Sequence, residues 1–361
     1  MELNAKKFLK AIKKYKKLLI YVKGSPDPDA LASGFAIHAL CESMSIQAHM
    51  ITEMHLSLEQ NIEFVKILDI PLRFKSNHFS YDSFDGYIVT DHQSKIVPDI
   101  SETVPCVAHI DHHEIIDEEI SAEYELRNVE SGSTSTLIAL ILKELEVDFT
   151  DSQMESVCTA LMYGIKTDTD KYDHATHLDY EAMNYLSQYV NKDIINKLSG
   201  MPLGKKTIQL LARAIENEII YKDWLIAGVG FVEELQRDSI AIIADLLLKR
   251  QDVSTAVVFG AIVSKENNSI IVDASFRSIK ENLNLNDIIK KITDHGGARK
   301  YKGAYQINLD YLYHCPDKEL LWNVINVTTI EVLKKRRDGI YIMEIEGLFK
   351  KLKKRIGNLF D

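Results

Sequence analysis

The chain has 361 residues, enough for two compact domains, and its composition of 46% hydrophobic and 27% charged residues is that of an ordinary globular protein. Its formal net charge of −10 argues against a general binder of long nucleic-acid duplexes and leaves room for a small anionic ligand held locally. The four cysteines have no paired spacing, so neither a disulfide framework nor a zinc ribbon is indicated, and a reducing cytoplasm is expected.

The first half of the chain alternates strand-like and helix-like segments after a basic, helical N-terminus. Short apolar runs predict strands at residues 18–22, 46–51, 86–91 and 105–113. Longer periodic segments predict helices at residues 30–44, 134–145 and 152–165. This alternation predicts a mostly parallel sheet covered on both faces, and such sheets bind ligands outside the carboxyl ends of their strands.

A stretch with Gly and Pro near residues 192–210 is the best linker candidate, and a second alternating pattern follows it. Strands are predicted at residues 224–232, 255–263 and 269–278, and helices at 238–250 and 285–292. Near the C-terminus, residues 347–361 place apolar side chains at helical spacing with lysines between them. We expect this last stretch to dock on the body of the protein or at a homodimer contact rather than on a membrane surface.

Acidic residues and histidines follow several of the predicted strands. Asp27 and Asp29 come after the first strand, Asp91 ends a later one, and residues 111–113 read Asp-His-His. Asp168 is expected in a turn after an apolar helix. Taken singly, each is a weak signal, because aspartates commonly cap helices and histidines commonly lie on surfaces. Together they are expected at one edge of the predicted sheet.

Carboxylates with an imidazole make a hard, oxygen-rich site that suits Mn²⁺ or Mg²⁺ better than a structural zinc ion. The spacing of the aspartates indicates two ions, which would suit attack on a phosphorus ester. Because adjacent side chains of an extended segment point in opposite directions, one of His112 and His113 can bind metal while the other faces the substrate.

These motifs resemble those of the DHH phosphoesterase superfamily. The residues SPDPDALAS (25–33), VTD (89–91), HIDHH (109–113), SGSTSTLI (131–138) and GIKTDTDKY (164–172) match its N-terminal motifs in order. The second half resembles the DHH-associated substrate-binding domain through RDSIAIIADLLL (237–248), SFRS (275–278) and GGARKYKGA (296–304). The length without extra modules is most similar to the group of nanoRNases, pAp phosphatases and cyclic-dinucleotide phosphodiesterases.

The resemblance implies a role for each matching residue. The implied metal ligands are Asp27, Asp29, Asp91, His112 and Asp168, with Asp91 bridging two Mn²⁺ ions. Mg²⁺ is the alternative metal. His113, with Asp111 beside it, would contact the substrate phosphate or assist the leaving group. The residues implied in substrate binding are Arg277, Ser278, Gly296, Gly297 and Arg299.

Two positions depart from the family pattern. The first motif usually begins with a metal-binding histidine four residues before the first aspartate, and Lys23 occupies that position here. A protonated ammonium cannot ligate a metal, so either one ion has fewer ligands or Lys23 supplies positive charge where that ion would lie. The glycine-rich motif usually continues with a histidine, and here Ala298 follows instead, with Arg299 and Lys300 after it.

We therefore predict an α/β protein with an N-terminal parallel-sheet DHH domain and a smaller C-terminal α/β substrate-binding domain. The predicted limits are 1–192 for the DHH domain, 193–212 for a linker, 213–325 for the substrate-binding domain and 326–361 for a helical tail. The predicted activity is metal-dependent hydrolysis of an oligoribonucleotide, pAp, or a cyclic or linear dinucleotide. The alternatives are a non-catalytic nucleotide sensor on the same fold and an exopolyphosphatase or pyrophosphatase.

Overall fold

The structure is a computed structural model that describes residues 3–24, 26–56, 58–75, 79–113, 120–265 and 267–339. The chain divides into two compact units, residues 1–202 and 203–361. This division falls inside the linker predicted at 193–212, although the four predicted limits themselves stay predictions. The amphipathic stretch at 347–361 lies outside the described residues.

The N-terminal unit alternates helices and strands. Its strands are β1 (Lys17–Val22), β2 (Gln47–Thr52), β3 (Leu72–Phe74), β4 (Gly86–Thr90), β5 (Cys106–Asp111) and β6 (Tyr124–Arg127). Its helices are α1 (Ala5–Ile12), α2 (Pro28–Ser43), α3 (Glu59–Ile67), α4 (Thr134–Leu145), α5 (Asp151–Asp168), α6 (His177–Leu186) and α7 (Lys192–Ser199).

The six strands form one sheet in the order β3-β2-β1-β4-β5-β6, and every neighbouring pair is parallel. β4 and β5 are buried along their whole length, as expected for strands that are covered on both faces. One face packs against α1, α2, α4 and α5, and the other packs against residues from the segment 79–104. The strand order reverses between β1 and β4, the kind of position where open α/β sheets bind ligands.

The C-terminal unit has a second six-stranded sheet, in the order β11-β12-β10-β9-β8-β7. Its strands are β7 (Glu218–Tyr221), β8 (Trp224–Glu233), β9 (Thr255–Ser264), β10 (Ser269–Ser278), β11 (Gly296–Ala298) and β12 (Lys302–Asn308). Its helices are α8 (Lys205–Glu216), α9 (Ser239–Leu247), α10 (Leu285–Lys290) and α11 (Lys318–Arg337). Within this second sheet, only the β8–β9 pair is parallel among the strand pairs that the structure describes.

The predicted α/β class is confirmed for both units, and most predicted elements match. The strand predicted at 269–278 and the helix predicted at 134–145 have the bounds of β10 and α4. The turn predicted at Asp168 was wrong, because α5 continues through that residue before its cap at Thr169. The boundary predicted at 325/326 falls inside α11, whose Leu321 and Leu333 both pack into the core of the C-terminal unit. Among the described residues, no helix has the length and apolarity needed to span a membrane.

Candidate metal centre

The ends of β1, β4 and β5 bring the predicted site residues to one edge of the first sheet. Val22 of β1 pairs with Thr90 of β4, and Thr90 pairs with Ile110 of β5. The residues that follow these positions are Lys23, Asp91 and Asp111, and they lie side by side because the strands are parallel. The register of the sheet therefore assembles residues that are far apart in the chain.

Asp91 leaves β4 with a left-handed backbone conformation, with φ at 54°. Aspartate tolerates this region better than most residues, yet it remains uncommon and marks functional sites when other contacts impose it. The N–H of Asp91 donates to the carbonyl oxygen of Ile110 at 3.0 Å. The Thr134 hydroxyl donates to Oδ1 of Asp91, also at 3.0 Å. The backbone turn and the hydroxyl thus fix the direction of this carboxylate.

His112 is oriented by the backbone of the loop before α4. Its Nδ1 lies 3.1 Å from the carbonyl oxygen of Ser131, which can only accept, so Nδ1 carries the proton. Its Nε2 lies 3.5 Å from Oδ1 of Asp91 and 3.1 Å from Oδ2 of Asp168. A carbonyl that fixes one ring nitrogen while the other faces carboxylates is the usual arrangement of a metal-binding histidine.

Asp29 lies in the first turn of α2 and is buried. Its two carboxylate oxygens accept hydrogen bonds from the N–H groups of Thr134 and Ser135, each at 2.8 Å, at the start of α4. Burial raises the pKa of Asp29, and the charge of Asp168 raises it further, while His112 and Ser135 lower it. This balance disfavours the ionised carboxylate, and a bound cation would reverse it.

The ligand-type atoms form two overlapping groups, within each of which all atoms lie within 4.8 Å of one another. One group contains Asp29, His112 and Asp168, and the other contains Asp91, His112 and His113. Carboxylate oxygens with an imidazole nitrogen fit a hard divalent cation such as Mn²⁺ or Mg²⁺. The predicted ligands Asp29, Asp91, His112 and Asp168 are therefore brought together.

Asp27 is placed differently from the other predicted ligands. It is the N-cap of α2, where its Oδ1 accepts from the N–H of Ala30 at 2.9 Å and Pro28 follows as the first helical residue. It belongs to neither of the two ligand groups. The structure therefore shows a capping role for one of its oxygens.

His113 and Asp111 form a pair beside the ligand groups. Nδ1 of His113 donates to Oδ1 of Asp111 at 2.6 Å, and Asp111 is buried. Burial by itself would raise the pKa of Asp111, but the hydrogen bond from His113 and the neighbouring imidazoles hold it below its usual value. The ionised Asp111 thus fixes the orientation of the His113 ring.

Lys23 is anchored to the segment that follows Asp91. Its Nζ donates to the carbonyl oxygen of Ile96 at 2.5 Å and to that of Ser94 at 3.4 Å. Burial and the nearby charge of Lys23 lower the pKa of His92 to about 4. Nδ1 of His92 accepts from the N–H of Ser94 at 3.0 Å. This partner segment of Lys23 was not predicted from the sequence.

Two glycines and a buried aspartate support the site, and none was identified from the sequence. A Cβ on Gly164 of α5 would lie 2.3 Å from Oγ of Ser135 and 3.2 Å from Cα of Asp29. The N–H of Gly132 donates to Asp179, which also accepts from the N–H of Thr176 in a capping box. The capping pattern from Thr176 to Asp179 was the one available sequence signal.

In the C-terminal unit, the predicted substrate residues make contacts within the fold. Nε of Arg277 donates to Oδ1 of Asp245 at 2.6 Å, and its Nη1 donates to the carbonyl oxygen of Phe276 at 2.9 Å. Ser278 is buried, and its hydroxyl lies 2.9 Å from that of Thr255. Arg277 and Ser278 thus end β10 next to α9 and β9.

The glycine-rich stretch forms a hairpin. Gly296 and Gly297 lie in β11, and the N–H of Arg299 donates to the carbonyl oxygen of Lys302 at 2.8 Å, where β12 begins. A Cβ on Gly296 would lie 2.7 Å from Tyr305, whereas one on Gly297 would meet Asn286 at an ordinary 3.5 Å. Strand packing therefore requires a glycine at 296 but not at 297.

Comparisons with known proteins agree with this geometry. Residues 17–165 match the sequence model of the DHH family, N-terminal domain. An uncharacterised protein of Methanocaldococcus jannaschii is 29% identical over 311 residues, which are 85% of this chain and 61% of the relative. The chain thus spans less than two thirds of that relative's length.

Two solved structures also resemble the chain. An exopolyphosphatase-related protein from Bacteroides fragilis has a TM-score of 0.68 at 15% identity. The match covers 93% of this chain and 97% of that protein's chain. RecJ from Thermus thermophilus, solved in complex with Mn²⁺, has a TM-score of 0.47 at 10% identity. The match covers 90% of this chain and 54% of the RecJ chain. The first of these likenesses supports the fold, and the family match identifies residues 17–165 as a DHH N-terminal domain.

Proposed function

We propose that this protein is a metal-dependent phosphoesterase that hydrolyses short nucleotide phosphoesters. Members of the DHH family are metal-dependent phosphoesterases, and the observation that carries the proposal is the convergence of Asp29, Asp91 and Asp168 on Nε2 of His112. Three carboxylates around one imidazole nitrogen match the needs of a divalent cation. Without a cation, their mutual repulsion would be hard to balance in a buried site.

Each residue of the site has a distinct task in this proposal. Asp29, Asp91, His112 and Asp168 would hold the cation, which when bound lowers the pKa of a water molecule and neutralises charge on the phosphoryl group. The N–H groups of Thr134 and Ser135 keep Asp29 in place. His113, held by Asp111, would contact a phosphoryl oxygen or give a proton to the leaving oxygen.

The substrate class is tested with a panel of phosphate compounds. Purified protein with Mn²⁺ or Mg²⁺ would be incubated with pAp, a linear dinucleotide, a cyclic dinucleotide, pyrophosphate and polyphosphate. We expect hydrolysis of at least one nucleotide, and loss of that activity in Asp168→Asn. Polyphosphate belongs in the panel because the similar Bacteroides fragilis protein is named as exopolyphosphatase-related.

A nucleotide sensor is the second candidate, because Lys23 and Ala298 stand where the family usually has histidines. Tight binding of a nucleotide without turnover of any compound, at saturating metal, would favour the sensor. Failure to bind any divalent cation would contradict the enzymatic proposal directly.

A further inference from the structure

Both groups of ligand-type atoms surround the same nitrogen. Each group includes His112, whose Nδ1 is committed to the carbonyl oxygen of Ser131. Only Nε2 is then left to bind a cation, and it faces Asp91 at 3.5 Å and Asp168 at 3.1 Å. Among the described residues, the two groups therefore meet at one imidazole nitrogen, whose single lone pair can bind only one cation.

The end of the strand beside Asp91 carries a lysine. Since Val22 pairs with Thr90, Lys23 and Asp91 stand at the same level of adjacent strands. The Nζ of Lys23 is held by the carbonyl oxygens of Ser94 and Ile96, in the segment that begins at Asp91. A protonated ammonium offers no lone pair to a metal and repels a nearby divalent cation.

The remaining carboxylate on this side is that of Asp27, and one of its oxygens makes a hydrogen bond within the fold. Oδ1 of Asp27 caps α2 at 2.9 Å from the N–H of Ala30, and the residue lies in neither ligand group. Two-metal sites in phosphatases place their ions about 3.5–4 Å apart and share ligands between them. The ligand groups found here leave Asp27 outside, and no second imidazole accompanies it at position 23.

We propose that this centre holds one divalent cation, bound by Asp29, Asp91, His112 and Asp168, and that the ammonium of Lys23 supplies the positive charge beside Asp91 that a second ion would otherwise supply. This proposal rests on the proposed metal-dependent function, and it expects one bound ion where the sequence predicted two. A fixed ammonium would still attract a phosphoryl oxygen, so the centre keeps a second positive charge for an anionic substrate.

The number of bound ions tests the proposal without any measurement of activity. Mn²⁺ would be titrated into the full-length protein by calorimetry and counted by elemental analysis after gel filtration. Electron paramagnetic resonance of the loaded protein would report whether two manganese ions are coupled. We expect one Mn²⁺ per chain and the spectrum of an isolated ion.

Two variants identify the part played by Lys23. Lys23→His replaces the ammonium by a ligand and is expected to bind two Mn²⁺ per chain with a coupled spectrum. Lys16→His is the matched control, because it adds a histidine just before the opposite end of β1, and it should bind one ion as the unaltered protein does. Circular dichroism would establish that both variants are folded.

Each remaining outcome has a defined meaning. Two coupled ions in the unaltered protein would overturn the inference and leave the proposed function intact, and this count needs no variant to fold. A single ion in a folded Lys23→His variant would show that Lys23 does not exclude the second ion, which also overturns the inference. No bound ion at millimolar Mn²⁺ would instead refute the metal-dependent function itself.

Discussion

Each unit contains a cluster of polar and charged side chains around a partly or fully buried aspartate. The surroundings shift the pKa values of these two aspartates in opposite directions. In the N-terminal unit, burial and the neighbouring carboxylate of Asp168 raise the pKa of Asp29. In the C-terminal unit, Asp223 accepts hydrogen bonds from Lys280, Arg337 and Ser254, and these lower its pKa despite the opposing effect of burial.

The opposite pKa shifts indicate different roles for the two clusters. Asp223 lies in the turn between β7 and β8, and its partners come from the residue just before β9, the segment after β10 and the end of α11. Its charge is neutralised by groups of the protein, so it ties elements of the fold together. The cluster around Asp29 places acidic groups near one another, and a cation from solution would complete its balance.

Replacing a ligand in the first cluster should have the largest effect. Asp91→Asn keeps the size of the side chain and tolerates the left-handed backbone, so it removes mainly the charge. We expect kcat/KM to fall by more than the roughly 100-fold that loss of an outer contact to a metal ligand can cause. Asp223→Asn is the control, and it should retain activity. Equal losses in both variants would contradict the distinction between the clusters.

A glycine that carries no ligand should also matter to the first cluster. Gly164→Ala would place a methyl group against Ser135 and the backbone of Asp29, which must then move. Because small displacements of supporting groups weaken metal sites, we expect Mn²⁺ affinity to fall about 10- to 100-fold. Adding Ser135→Ala removes the nearest clashing atom and should restore part of the affinity. Unchanged Mn²⁺ affinity in Gly164→Ala would mean that this close approach does not position Asp29.

In the second cluster, the expected effect is on stability. Both tryptophans, Trp224 and Trp322, lie in the C-terminal unit, so their fluorescence reports unfolding of that unit. Asp223→Asn should lower its free energy of unfolding by about 1–2 kcal/mol at neutral pH, the usual worth of a hydrogen-bonded, partly exposed ion pair. Mn²⁺ binding should be unchanged.

The pH dependence of this effect follows from the direction of the shift. Because the pKa of Asp223 is lowered in the folded protein, the unfolded chain takes up a proton first as the pH falls. The stabilising contribution is complete above the unfolded pKa of about 3.9 and is lost as the pH drops below it. The difference between the unaltered protein and Asp223→Asn should therefore shrink below about pH 4. A constant difference down to lower pH would contradict this account.

Much of the first unit could be predicted because its strands are nearly continuous apolar runs. β4 and β5 are buried throughout, so the ends of those runs also locate Asp91 and Asp111. The support from Asp179 could not be predicted, because its contact with Gly132 joins residues 47 positions apart. The capping role of Asp27 was predictable from the proline that follows it, because proline favours the first position of a helix.

The second unit was less predictable. Short elements such as β11 and β7 have three or four residues and carry little periodic signal. The residues proposed to bind substrate there, from Arg277 to Arg299, were identified from the resemblance. Their roles stay predictions.

Arg277 forms an ion pair within the fold, as Asp223 does. Its proposed role, however, is to bind substrate, so it would serve function as the first cluster does. If its guanidinium grips a substrate phosphate, Arg277→Ala should raise KM by about 10-fold and leave kcat nearly unchanged, because a contact remote from the reacting atoms contributes mostly uniform binding. Asp245→Asn removes the partner that Nε contacts at 2.6 Å but keeps the guanidinium, so KM should change little. If the pair only stabilises the fold, both variants should lower the stability reported by tryptophan fluorescence to a similar extent, with KM unchanged in each. Arg277 would then belong with Asp223 among the charges that hold the second unit together, and the substrate contacts would have to be sought elsewhere.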